Sequence, residues 1–163
     1  MKIHLLLAAA LLATGIAYAS EPAIATSFSG VALDGQRYDL ATRRGRVVML
    51  VLWRSDCPVC MDKLPELRAN AQGWKAAPFD LVLVNLDASP GDAEAYERVR
   101  RVVAPAEQSV FSFWQGHVQL PLAWRNGNRM PHTLIIDSKG AVAAQHNGRI
   151  PPAAWDLVAD LLP

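Results

Sequence analysis

Residues 47–60 read Val47-Val48-Met49-Leu50-Val51-Leu52-Trp53-Arg54-Ser55-Asp56-Cys57-Pro58-Val59-Cys60. The first seven are apolar and do not alternate with polar residues, which predicts a strand buried on both faces. Three polar residues then lead into Cys57-Pro58-Val59-Cys60. From there Cys60, Leu64, Leu67 and Ala71 recur at helical spacing, so a helix follows the loop directly. Pro65 inside that helix should kink it. The order is therefore strand, tight loop, helix, with the first cysteine at the helix tip.

Working outward, Val31 to Tyr38 predicts a hairpin, because Asp34-Gly35 suits a tight turn with positive φ. Leu81 to Leu86 is a second buried strand. Ser89-Pro90-Gly91-Asp92 has the form of a helix start, with Ser89 as N-cap and Pro90 at the first helical position. Tyr96, Val99 and Val103 give that helix its apolar face. Val110 to Phe113 reads as a strand and 117–125 as a short helix. After Pro131, Thr133 to Ile136 is a strand that turns through Asp137 to Gly140 into a hairpin partner over 141–145. Trp155, Val158 and Leu162 mark a final helix entered through Pro151-Pro152. Alternating strands and helices of this kind define an α/β layered domain.

The chain has 163 residues, 52% of them apolar, and a formal charge of +1. That length suits a single domain with a substantial core. No basic stripe is present, so nucleic acid is not an expected partner. Lys2 precedes the apolar run Leu5 to Ala13, and Ala17-Tyr18-Ala19 follows. This pattern fits a secretory signal peptide over residues 1–19, cleaved after Ala19, leaving one domain over 20–163. The apolar run is short for a membrane span, which takes roughly 20 residues; an uncleaved anchor is the alternative and the only expected membrane contact. Cleavage would remove Lys2 and no acid, leaving 15 basic and 15 acidic groups. A chain without net charge has little long-range steering toward partners.

Only two cysteines occur, three positions apart. A bridge between them closes so small a loop that it restrains little of the unfolded chain. The pair therefore points to chemistry rather than to stapling. A cysteine at a helix N-terminus faces unsatisfied backbone N–H groups and the positive end of the helix dipole. Both favour the thiolate, the attacking species in disulfide exchange. Cys57 is accordingly the expected nucleophile, and Cys60, one turn in, the expected resolving cysteine. Structural zinc would need two more ligands, and no second Cys-x-x-Cys or His-x-x-x-His pair exists. Copper(I) held by both thiolates with Met130 or a histidine nearby is a further reading. Phosphate-binding loops, dinucleotide fingerprints and Gly-x-Ser-x-Gly elbows are missing, so no cofactor beyond the cysteine pair is expected.

The blocks Gly45 to Trp53, Cys57 to Cys60, Leu64-Pro65-Glu66-Leu67 and Met130-Pro131-His132-Thr133-Leu134-Ile135-Ile136-Asp137-Ser138-Lys139-Gly140 resemble the TlpA/ResA/CcmG group of exported thioredoxins, over roughly residues 27–160. The resemblance implies a thioredoxin-like fold, a central mixed sheet flanked by helices, here with an N-terminal β-hairpin extension. It implies a monomeric thiol:disulfide oxidoreductase that reduces cysteine pairs in periplasmic proteins, such as apocytochrome c or metal-site proteins, and is recharged by a membrane electron donor. A disulfide oxidant and a copper metallochaperone are the alternatives. It also implies a cis-proline at Pro131, substrate contact at Met130, and a site shaped by Pro58, Val59 and Trp53. Several positions depart from the family's pattern. Lys63 stands where a proton-handling carboxylate is common, Asp56 where a tryptophan is, and Val51 where thioredoxins carry a buried acid. His132, after the proline, and Lys63 are then the candidates for handling protons in place of that carboxylate; for Lys63 a solvated helix charge is the alternative reading.

Overall fold

The computed structural model describes residues 27–103, 107–125, 127 and 129–163. The assignment of 1–19 as a signal peptide lies outside the described residues. The first apolar block forms β3 (Val47–Trp53), and every residue of it is buried. A parallel partner lies on one side, β4 (Phe79–Asn85), and an antiparallel one on the other, β7 (His132–Ile136). β5 (Val110–Trp114) adds in parallel to β4 and β8 (Val142–Asn147) in antiparallel to β7. The result is a five-stranded mixed sheet in the order β5-β4-β3-β7-β8. Gly140, at φ 80°, makes the turn between β7 and β8 that only glycine adopts without strain.

Because neighbours in register share a face, alternate residues of β3 supply two cores. Val47, Met49, Val51 and Trp53 join Cys60, Leu64, Leu67 and Ala71 of α1 (Pro58–Gly73), together with Ala154 and Val158 of α4 (Ala153–Leu161). Tyr96 of α2 (Gly91–Val103) packs against the same cluster. Val48, Leu50 and Leu52 face the other way, onto Phe28, Tyr38, Phe111 and Phe113. These rings meet edge-on or tilted at centroid distances of 4.8 to 6.0 Å, the geometry their quadrupoles favour.

The expected hairpin is present as β1 (Ser29–Val31) and β2 (Arg37–Asp39), with Gly35 at φ 87° in its turn. It does not stand alone. β6 (Val118–Gln119) pairs with β1 and completes a second, three-stranded sheet. The helix expected over 117–125 is therefore shorter than the sequence suggested: α3 covers only Leu122–Arg125. A Cβ at Gly30 would come within 2.5 Å of the His117 carbonyl oxygen, so the close approach of β1 to this segment requires glycine.

Candidate functional site

The loop between β3 and α1 carries the cysteine pair. Pro58 occupies the first helical position of α1, where its missing N–H costs nothing. Cys57 is the N-cap: its φ of −101° and ψ of 104° are extended, and its sulfur accepts the Cys60 backbone N–H at 3.1 Å. Cys57 and Cys60 are joined in a disulfide, with Cα atoms 5.2 Å apart. Cys57 is half-buried and Cys60 buried, so the first sulfur is the accessible one. When the bond is reduced, the same N–H and the helix N-terminus are placed to stabilise a thiolate on Cys57.

Around the pair, Trp53 ends β3 on the same face as Cys60, buried, its ring 5.5 Å from that of Tyr96. Val59 is half-buried and Pro58 exposed. The Met130–Pro131 peptide is cis, as the resemblance implies. Met130 is half-buried and reaches both cores. Beside Cys57 lies a hollow of about 510 Å³ lined by Ser55, Asp56, Met61, Asp92, Tyr96 and Val99. Met61 and Val99 leave apolar surface exposed at its wall.

Asp56, next to Cys57, is not a free charge. Arg54 holds it in a bidentate pair, with Nε to Oδ1 at 2.9 Å and Nη2 to Oδ2 at 2.8 Å. That hydrogen bond is the main reason the Asp56 carboxyl lies below its usual range. Both groups are exposed, so water screens the pair. A second carboxylate, Asp87, sits just past β4 and is buried. Its two oxygens accept the Ser55 backbone N–H at 3.2 and 3.4 Å, and Oδ2 also accepts Asn85 Nδ2 at 2.8 Å. Asp87 thus fixes the loop that presents Cys57. Isolated polar residues at a strand end gave no sequence signal for this role.

The two residues expected to handle protons are placed differently from that expectation. His132 pairs with Leu52 across β7 and β3 and so faces the aromatic core, away from α1. Its Nδ1 lies 2.9 Å from the Asn147 amide oxygen, and a Cβ at Gly127 would come within 2.6 Å of its ring. The geometry does not bring His132 to the cysteines. Lys63 is not a solvated charge: its side chain is only 14% exposed and pairs with Glu66 one turn on. Among the described residues, no group of three or more His, Cys, Asp or Glu could hold a metal ion. Nor is any described helix long and apolar enough to cross a membrane.

A mixed sheet with a Cys-x-x-Cys disulfide at the tip of its central βα connection defines a thiol:disulfide oxidoreductase. The chain belongs to the redoxin family, whose model matches residues 19–161. Solved structures agree. One described as a thiol:disulfide interchange protein DsbE, from Chlorobium tepidum, is 30% identical over 87% of this chain and 94% of its own, with a TM-score of 0.66. A thioredoxin-family thiol:disulfide interchange protein from Chlorobium tepidum TLS is 20% identical over 86% and 96%, with a TM-score of 0.68. The exposed lipoprotein thioredoxin Etrx1 of Streptococcus pneumoniae is 21% identical over 83% and 100%, with a TM-score of 0.64. The last two speak to fold alone. No curated protein sequence matches the chain. The resemblance to the TlpA/ResA/CcmG group and the thioredoxin-like fold are thereby borne out.

Proposed function

We propose that Cys57 attacks the disulfide of an exported protein and that Cys60 resolves the resulting mixed disulfide. The observation that carries this reading is the position of Cys57 as N-cap of α1, its sulfur receiving the Cys60 N–H at 3.1 Å, with Cys60 buried one turn behind. The first sulfur can meet a partner, and the second can reach only the first. The net reaction moves two electrons: the substrate disulfide gains them and the Cys57–Cys60 dithiol becomes a disulfide. Pro131, Met130, Pro58, Val59 and Trp53 shape the surface the substrate meets, and the hollow bounded by Met61, Tyr96 and Val99 receives chain beside its cysteine.

The direction we assign is reduction of cysteine pairs in periplasmic proteins, of the cytochrome c precursor or metal-site kind. This rests on the resemblance to the TlpA/ResA/CcmG group and on the likeness to the protein described as DsbE. An oxidising compartment requires that the dithiol be regenerated, which we assign to a membrane electron donor. The enzyme acts as a monomer and needs no cofactor beyond its cysteines. Export rests on the segment 1–19, and intact mass of the exported chain should start at Ser20.

Trapping tests the roles. In Cys60→Ser the hydroxyl cannot attack sulfur, so mixed disulfides with substrates accumulate in the native host as adducts that collapse with dithiothreitol. Cys57→Ser should trap nothing. Equal adducts with both variants, or none with either, would overturn the assignment. The proteins captured, whether c-type cytochrome precursors, copper-centre proteins or a broad envelope set, decide among the substrate classes.

A further inference from the structure

The hollow beside Cys57 does not end at Val99. Tyr96 and Val99 are also walls of a second cavity, of about 400 Å³, that continues between α1 and α2. On α1 its wall is Pro65, Ala69 and Gln72, which extend the line of Met61 in the hollow at spacings of four, four and three residues. On α2 the facing line is Tyr96, Val99 and Val103. Residues so spaced lie on one face of a helix, so hollow and cavity are two ends of a single groove that starts beside Cys57. Its α2 wall is apolar and uncovered: Val99 is 67% exposed and Val103 78%, with Val102 next to them at 88%. An exposed apolar patch of this kind marks a surface that meets a partner. The charged groups at the groove are already matched. Arg68 pairs with both Glu97 and Glu107 and donates to Ser112 Oγ at 2.8 Å. Arg100 pairs with Glu97 at 2.8 Å and with Glu107 at 3.3 Å. Two cations and two carboxylates cancel, so these groups give the groove no net charge with which to attract an ionic ligand.

We propose that this groove binds the substrate polypeptide itself, as an extended segment with an apolar side chain a few residues from the cysteine that Cys57 attacks. This rests on the reading of Cys57 as the attacking thiol, and it adds which substrates that thiol meets. Continuity names the occupant. A substrate whose sulfur is bonded to Cys57 has its own chain at the mouth of the groove, and α1 and α2 wall the path leading away. Pro65 to Gln72 lie eight to fifteen residues past Cys57, which at about 1.5 Å per helical residue is roughly 12 to 22 Å. An extended chain covers that span in about four to seven residues, at roughly 3.3 Å each. The class of substrate so selected is a protein whose cysteine lies in chain that has not yet folded. There an apolar residue near the cysteine is free to enter the groove, whereas in the folded protein it is buried. A small disulfide reaches Cys57 without reaching the groove and gains nothing from it.

The test uses the reduced full chain and synthetic Gly/Ser peptides with one cysteine capped by 5-thio-2-nitrobenzoate. The Cys57 thiolate bonds to the peptide sulfur, the bond from that sulfur to the cap breaks, and the coloured nitrothiolate that leaves reports the rate. One leucine is moved along the peptide on either side of the cysteine. Placed about four to seven residues away on one side, it should raise the second-order rate roughly tenfold over the plain peptide, the return on burying one aliphatic side chain. On the other side it should do nothing. Ala69→Glu and Val103→Asn, both at exposed helical positions, should abolish the gain. Both should leave the rates with the plain peptide and with 5,5′-dithiobis(2-nitrobenzoate) unchanged. No dependence on leucine position in wild type, or a gain that survives both variants, overturns the proposal. So does a dimer of the wild-type chain in sedimentation that Val103→Asn dissociates, since the groove would then hold a second copy. If one variant also slows the plain peptide, its fold is disturbed and the other decides by the same criteria. Failure of the cysteine assignment looks different: Cys57→Ser would still release nitrothiolate from the plain peptide.

Discussion

Strand β4 has a buried carboxylate near each end, and the two are treated in opposite ways. Asp80, second residue of the strand, is met by cations: Arg46 Nη2 at 2.8 Å and Arg43 Nε at 3.6 Å, with the Tyr38 hydroxyl donating at 3.3 Å. Arg43 also lies over the Tyr38 ring at 4.6 Å. Burial first, and Asp80 second, push the Tyr38 phenol far above its usual range, so it stays a donor at any working pH. Asp87, two residues past the strand, is met instead by neutral donors, the Ser55 N–H and the Asn85 amide. At the Asp80 end the charge is closed off and ties β2, β3 and β4 together. At the Asp87 end no cation pairs with the carboxylate among the described residues, and it lies beside the loop that carries Cys57. One carboxylate serves stability and the other positions chemistry.

The sharpest way to break that contrast is Asp80→Asn. Removing one member of a buried ion cluster leaves the others uncompensated, and with both arginines partly exposed the cost should be about 3 kcal/mol of folding stability. Urea unfolding would show it as a lower midpoint. Iodoacetamide rates at Cys57 in the folded, reduced protein should not change; a changed rate would mean that this end of the sheet is coupled to the site after all. Asp87→Asn should give the reverse pattern. The amide oxygen can still accept the Ser55 N–H, so stability falls by only about 1 kcal/mol. Loss of the negative charge near the helix tip should speed alkylation of Cys57 at neutral pH by roughly twofold to threefold. A large stability loss without a rate change would make Asp87 another structural anchor.

The same contrast explains what was legible in the sequence. The Val47–Trp53 run, Asp34-Gly35, the cysteine spacing and the Pro131 block each carry a strong local signal, and together they specify the sheet and the βα connection. β6 is only two residues long, too short for any periodicity, and it exists because β1 offers it an edge. Facing was the second blind spot. His132 and Thr133 are adjacent, so only one can point toward α1, and β3, buried on both faces, has no alternation to say which. The register with Val51 decides it, and that is a tertiary fact. His132 drew attention because it follows the proline, yet its register with Leu52 turns it onto the other core. Lys63 was misread for a related reason: its partner Glu66 is one turn on, but the cover over its stem comes from packing.

The smallest effect is also the most discriminating, because it concerns charges that touch the site without being buried. The Arg54–Asp56 pair brackets the approach to Cys57 with no net charge, and the lowered Asp56 carboxyl stays ionised throughout the range in which a thiol titrates. Taken alone, Asp56 should disfavour a thiolate on Cys57 and Arg54 should favour it. Asp56→Ala should therefore speed alkylation of Cys57 at neutral pH and Arg54→Ala should slow it, each by less than about threefold and each fading as ionic strength passes 0.1 M, where the Debye length is about 10 Å. The double variant should return close to wild type, since it removes opposite charges together. If both single variants shift the rate in the same direction, the pair acts through the shape of the 54–57 loop rather than through its field. The field at the reactive sulfur would then come from buried groups such as Asp87, and salt should leave the effect of Asp87→Asn nearly intact, because a buried charge is screened far less.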